Sequence, residues 1–411
     1  MTKRNIVPLL LLFVFILGGC QEKKPPAPSP TPSPVQETPA PTATPEPIPT
    51  PDPMGDKLAA MTTEELAGQL LVVGIEGTVP GEDARQVIED LHAGGIILFG
   101  RNVESAEQLV GLTNGLKELN RKAGNLPLFL CVDEEGGMVS RMPRSVADLP
   151  SAYDYIQAGG SAYDRGKVLA RECAAFGFNV DFAPVLDIWS NPDNTVIGRR
   201  AAGNDTASAA LFGNEILRGL VDSGVIPVGK HFPGHGDTAT DSHVGLPVVD
   251  KTREELWEAE LYPFRRAIEE QAPALMAAHI LMSQLDPLLP ASLSPAVVDG
   301  LLREELGFDG VVFTDDLTMG AIANFYGMGE AAVKAVEAGC DMALVCHGLD
   351  NAKAAYHALL FAVEDGTLTR QRLEESVRRV LTLKEAYAVD DSPVEPPDIE
   401  GLNETIRSIL P

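Results

Sequence analysis

Basic side chains, cysteines and aromatic rings are all scarce in this 411-residue chain. Lysine and arginine number 32 against 59 aspartates and glutamates, a formal charge of −27. A phosphate backbone would meet repulsion over most of such a surface, which argues against nucleic acid as a partner. Five cysteines with no CxxC pair do not make a disulfide framework. Four of them, Cys131, Cys173, Cys340 and Cys346, sit in apolar stretches and are expected as buried free thiols. The apolar run at residues 9–17 would span roughly 14 Å as a helix, well short of a ~30 Å hydrocarbon core. What the chain does have is 45% hydrophobic residues, enough to exclude a wholly disordered polymer.

Lys3 and Arg4 precede the short apolar run, and Leu17-Gly18-Gly19-Cys20 closes it. Residues 1–20 therefore read as an export signal rather than a membrane span. The closing tetrapeptide resembles the bacterial lipobox, which implies cleavage before Cys20 and lipidation there; an ordinary signal peptide with a chance cysteine is the alternative. Residues 21–57 change character. Thirteen of the 32 prolines fall between Pro25 and Pro53, and proline both fixes φ and removes a donor, so neither helix nor ladder forms. This stretch is expected to be a semi-extended spacer with a reach approaching ~3 Å per residue. The expectation is an extracytoplasmic domain tied to a bacterial membrane by a lipid anchor only.

Beyond the spacer, short apolar runs recur at residues 70–75, 95–99, 128–132, 180–183, 226–231, 274–280, 310–314 and 342–346. Several are continuously apolar rather than alternating, as strands buried on both faces are. Between them lie segments with helical periodicity, clearest at 105–121, 161–176, 206–222, 252–269, 294–306, 329–338 and 349–364. Ser105 and Thr252 stand where N-caps belong. A strand–helix order repeated eight times favours an α/β fold, a single (β/α)8 barrel, over an open doubly wound sheet. A helix over 369–386 would close it. The expected domain runs from 58 to 390, with 391–411 as a short appended tail.

In such a barrel the residues that follow each strand meet at one rim. Read in order, they are Asp133, Glu134 and Glu135; Asp187, Arg199 and Arg200; Lys230 and His231 opening a Gly/Pro-rich loop to His243; His279; Asp315 and Asp316; and His347. Ionisable groups from six strands converge, which marks a candidate site. Alternation along a strand points Asp315 and Asp316 to opposite sides, so only one is expected to face the pocket, and Asp315 is preferred. His231, His235, Asp237, Asp241 and His243 are also residue types that ligate metals. There is no HExxH helix, however, and the glycines would make a poor rigid cage; neither metal nor cofactor is expected. Asp237 could simply stabilise its loop through backbone bonds, Asp187 could pair with an arginine, and His279 and His347 are read as structural. Gly136-Gly137 reads as a tight turn.

The segment Lys230-His231-Phe232-Pro233-Gly234-His235-Gly236-Asp237-Thr238, followed by Asp241-Ser242-His243, resembles a signature of family 3 glycoside hydrolases. Together with Phe313-Thr314-Asp315-Asp316, it is similar to their β-N-acetylhexosaminidase branch. The resemblance implies that Asp315 is the nucleophile and that Asp241 and His243 form a dyad in which histidine is the general acid/base. It also implies that Asp133, Arg141, Arg200, Lys230 and His231 bind the sugar. Arg199 stands where the family usually has an acid, and Ala201-Ala202 replace its usual Ser-Phe.

The chemistry is consistent with those roles. Retaining glycoside hydrolysis needs a carboxylate at the anomeric carbon and a proton donor at the leaving oxygen. A histidine with an ordinary pKa near 6.5 can donate in the first step and accept in the second, and Asp241 can orient its ring. Four glycines, Gly229, Gly234, Gly236 and Gly245, suggest that the loop carrying His243 moves. The expected activity is that of a monomeric exo-β-N-acetylglucosaminidase acting on cell-wall (muropeptide) fragments. β-Glucosidase activity, phosphorolysis on the same fold, or a non-catalytic sugar-binding lipoprotein are the alternatives.

Overall fold

The computed structural model describes residues 24–27, 52–238, 242 and 245–411. The expected export signal with Cys20, and most of the proline-rich stretch, lie outside the described residues. Residues from Asp52 to Pro411 form one compact unit. Its centre is a closed barrel of eight parallel strands: β1 (Leu71–Gly74), β2 (Gly95–Ile97), β3 (Phe129–Val132), β4 (Val180–Asp181), β5 (Ile226–Phe232), β6 (Ala274–Ala277), β7 (Val311–Asp316) and β8 (Met342–Val345). Neighbouring strands pair in chain order, and β8 closes on β1 through Leu71–Ala343 and Val73–Val345. The expected (β/α)8 barrel is the fold.

Continuous apolar runs were the signal, and both faces of the strands are buried as they require. Val72, Phe129, Cys131, Val228, Met276, Phe313 and Leu344 fill the interior, while Leu71, Leu130, Leu275 and Val312 face the helical layer. The interior is solid rather than hollow. Phe313 packs against Phe129 and Phe182 at ring separations of 6.5 and 5.5 Å. At the lower end the Lys384 ammonium sits 4.8 Å above the Phe129 ring and donates to Gln69 Oε1 and the Gly94 carbonyl. The four cysteines at 131, 173, 340 and 346 are buried free thiols.

Local chemistry sets the helix ends. Ser105 Oγ accepts from Gln108 N at the start of Ala106–Ala123, and Thr252 and Glu255 form a reciprocal capping box. The helix expected over 252–269 is two helices, Arg253–Glu258 and Leu261–Glu269. Pro263 has no N–H to give, and its ring would clash with the carbonyl of Ala259, four residues back, so the chain breaks there. A helical stretch at Glu82–Asp90 was not among those expected. Residues 391–411 pack onto the barrel. Asp391 accepts from Asn120 Nδ2 and Leu128 N, and the helix Ile399–Ile409 buries Leu402 and Ile406. No helix among the described residues is long and apolar enough to cross a membrane.

Candidate active site

A cavity of about 210 Å³ opens at the C-terminal rim, in the middle of the barrel. Asp133, Arg141, Arg200, Lys230, His231 and Asp315 all line it. Asp241 and His243 lie outside the described residues, and only Ser242 between them is placed.

Two strands present adjacent residues to this cavity, which simple alternation forbids. Between β7 and β8 the register runs Phe313–Met342 and then Asp316–Leu344, three steps against two. Between β5 and β6 it runs Lys230–Met276 and then Phe232–Ala277, two steps against one. Each extra residue is a bulge that re-aims its neighbours. The pairs Lys230/His231 and Asp315/Asp316 therefore both line the cavity. The expectation that only one of the two aspartates faces it is corrected on that ground.

Hydrogen bonding separates the aspartates instead. Asp316 accepts from Cys346 N, Thr318 N and Thr318 Oγ1 at 3.0, 2.9 and 2.5 Å, so its carboxylate ties β7 to β8. Asp315 accepts from the Asp316 N–H at 2.8 Å. Burial opposes its ionisation, but His279, His231, that N–H and Lys230 outweigh it and hold the carboxyl below the usual aspartate range. Asp315 is thus held in its ionised form and, unlike Asp316, does not tie one strand to the next.

The polar wall comes from β3, β4 and β5. Lys230 Nζ lies 2.6 Å from Asp133 and 2.7 Å from Glu135. Arg200 grips Glu135 with two parallel bonds of 2.8 Å, the strong fork geometry. Burial opposes the Glu135 charge, but the two cations hold its carboxyl far below the ordinary range. Glu135 was not singled out from the sequence, where it is one of three successive acids. Its role is to fix both cations at the cavity wall.

His231 Nδ1 lies 2.6 Å from Asp187, which also accepts from the backbone N–H groups of His231 and His235. Asp187 therefore organises the start of the fifth loop rather than pairing with an arginine. It leaves Nε2 as the His231 ring nitrogen for a substrate. His235 bonds Thr238 Oγ1 and Ser242 Oγ through its two ring nitrogens. Among the described residues, Asp237 pairs with Lys251 at 2.9 Å and accepts from Ser190 Oγ at 3.3 Å. Of the glycines read as hinges, Gly229 and Gly236 serve close packing: an added Cβ would stand 2.6 Å from a Leu186 methyl and 1.7 Å from the Ile188 carbonyl oxygen.

Arg141 rides on a hairpin built on Gly136 and Gly137, both at positive φ, which is the expected tight turn. Inside the hairpin the Glu134 carboxylate accepts from Gly136 N, Ser140 Oγ and Arg141 N. Burial pushes that carboxyl up to about 7. Arg199 pairs with Asp154 on the surface, and Ala201 and Ala202 are buried. None of these three departures from the family pattern lines the cavity. His279 is structural, held between Ser292 Oγ and the Asp316 carbonyl; His347 lines the cavity.

Known proteins resemble this chain in sequence and in fold. A beta-hexosaminidase of Alkalilimnicola ehrlichii is 40% identical over 285 residues, covering 67% of this chain and 80% of its own. Beta-hexosaminidase LpqI of Mycobacterium tuberculosis is 37% identical over 339 residues, 79% and 84% of the two chains. The solved family 3 beta-N-acetylglucosaminidase of Paenibacillus sp. superposes with a TM-score of 0.82 at 43% identity, covering 85% of this chain and 68% of that one. Residues 62–383 match the N-terminal domain of glycosyl hydrolase family 3, and with relatives at these identities and coverages, the chain belongs to that family.

Proposed function

We propose that the protein is a retaining exo-β-N-acetylglucosaminidase that removes terminal N-acetylglucosamine from cell-wall fragments outside the cytoplasmic membrane. The observation that carries this reading is Asp315, an ionised carboxylate at the end of β7 that shares one small cavity with Asp133, Arg200, Lys230 and His231. At about 210 Å³ the cavity is below the usual ~300–1,000 Å³ of ligand pockets. That suits one sugar ring at a chain end.

In the first step the Asp315 carboxylate attacks the anomeric carbon. The glycosidic C–O bond breaks as the His243 imidazolium gives its proton to the leaving oxygen, and a glycosyl ester forms on Asp315. In the second, neutral His243 takes a proton from water, the oxygen attacks the same carbon, and Asp315 departs with its electron pair. Two inversions leave the configuration unchanged. Asp241 orients the imidazole. Asp133, Arg141, Arg200, Lys230 and His231 hold the hydroxyls of the cleaved ring.

The test is a β-linked GlcNAc–MurNAc disaccharide followed by proton NMR. Free β-GlcNAc is expected first, mutarotating later. First-formed α-sugar would refute the double displacement, and sugar 1-phosphate as the main product in phosphate buffer would replace hydrolysis with phosphorolysis.

The lipobox-like tetrapeptide supports anchoring at Cys20, with the proline-rich segment as a stalk. Expressed in a bacterial host, the full chain is expected in the membrane pellet, and Cys20→Ser is expected to move it to the soluble exported fraction. Equal partition of both would end the anchor reading.

A further inference from the structure

We propose that His347, backed by Phe99, is the surface on which the leaving-group sugar rests. The inference builds on the glycosidase reading and specifies where the other half of the substrate lies.

The cavity is polar on one side and aromatic on the other. Its sugar-holding groups come from the ends of β3, β4 and β5, and Asp315 comes from β7. Phe99 and His347 follow β2 and β8, on either side of β1 and across the barrel mouth from β4 and β5. The two sides also differ in depth. The side chains of Lys230 and Glu135 are 3% and 4% exposed, whereas that of His347 is 55% exposed. A terminal ring seated on the deep polar groups fills the available volume, so the remainder of the substrate has to leave past the mouth.

The His347 ring is exposed but supported. It stacks on Phe99 with centroids 5.5 Å apart and planes 26° from parallel. The Arg101 guanidinium lies 4.7 Å from the Phe99 centroid and donates to the Cys346 carbonyl at 2.8 Å, tying the second loop to the eighth. On the other edge His347 Nε2 is 3.8 Å from the Asp316 carboxylate. A half-exposed aromatic ring gains little by burial, yet here it is stacked on Phe99, which the Arg101 guanidinium supports in turn, and its edge lies near the Asp316 carboxylate. A supported flat ring is what the C–H face of a pyranose packs against, because ring faces carry negative charge density and the sugar's C–H bonds present weakly positive hydrogens. Asp316 would thus serve both β7–β8 pairing and the placement of this ring.

Two substrates with the same cleaved sugar and different leaving groups test this. One is N,N′-diacetylchitobiose, which leaves a sugar ring, and the other is N-acetyl-β-glucosaminyl fluoride, which leaves only fluoride. kcat/KM covers the steps through bond cleavage and so reports the leaving-group contact. His347→Ala is expected to lower kcat/KM about three- to tenfold on the disaccharide and to leave the fluoride unchanged. His347→Phe, which keeps a flat ring, should retain both rates. Equal losses on the two substrates would assign the ring to the cleaved sugar and overturn the proposal. So would no loss on either. In an Asp315→Asn background, calorimetry should show His347→Ala weakening the disaccharide and not free GlcNAc. That binding arm reports on the subsite even if the chain turned over neither substrate, which separates failure of this inference from failure of the glycosidase reading.

Discussion

Asp315→Asn is expected to lower kcat/KM on an aryl β-N-acetylglucosaminide by about 10⁴-fold or more, the scale on which removal of a covalent nucleophile is felt. The fold should survive, because the asparagine carbonyl can still accept the Asp316 N–H that Asp315 holds at 2.8 Å. In Asp315→Gly, azide can occupy the vacated space. It would attack the anomeric carbon from the nucleophile's side, expel the phenolate and give the α-glycosyl azide. Asp316→Ala should behave differently. It strips an acceptor from Cys346 N and from both donors of Thr318, so its main expected effect is on stability, at ~1–3 kcal/mol. If Asp316→Ala stayed folded and lost all turnover while Asp315→Asn kept it, the two roles would have to be exchanged.

The second large effect concerns Glu135, which touches no expected reacting atom. Glu135→Ala leaves the Arg200 guanidinium and Lys230 ammonium side by side in a buried wall, with Asp133 as the remaining acid bound to Lys230. Breaking a buried charge cluster by removing one partner costs about 3–5 kcal/mol, and urea unfolding should register a loss of that order. The folded-state pKa of Glu135 is depressed, so its contribution is fully present above the unfolded value near 4.3 and fades as acid titrates it through the folded value. The gap between wild type and variant should accordingly persist at neutral pH and narrow below about pH 4. A gap independent of pH would mean that the carboxylate's charge is not what holds the wall together. Activity should fall with stability, since both freed cations belong to the sugar-binding set.

The barrel was legible because its strands are buried on both faces, and burial of that kind writes unbroken apolar runs into a sequence. Two helix starts were legible for a local reason, the capping side chains of Ser105 and Thr252. The break before Leu261 was equally local and visible in Pro263, but amphipathic periodicity continued across it and hid the break. Alternation failed at β5 and β7 because the bulges there depend on the neighbouring strands' register, which no single strand encodes. Glu135 was lost among three consecutive acids, since only the fold brings it to Arg200, 65 residues away. Asp241 and His243 were singled out only through a resemblance of their segment to a family signature, and both lie outside the described residues. Asp187, by contrast, is defined by three contacts from a different loop, and nothing in its own neighbourhood announces them.

The aromatic plug formed by Phe129, Phe182 and Phe313, with Lys384 beneath it, closes the barrel under the cavity. Among the described residues, entry and exit therefore share the opening at the C-terminal rim. A polymer cannot be threaded through and advanced unit by unit. After each cut the trapped monosaccharide can escape only once the shortened chain has moved aside, so successive trimming has to proceed by repeated independent encounters rather than by continuous travel along one strand.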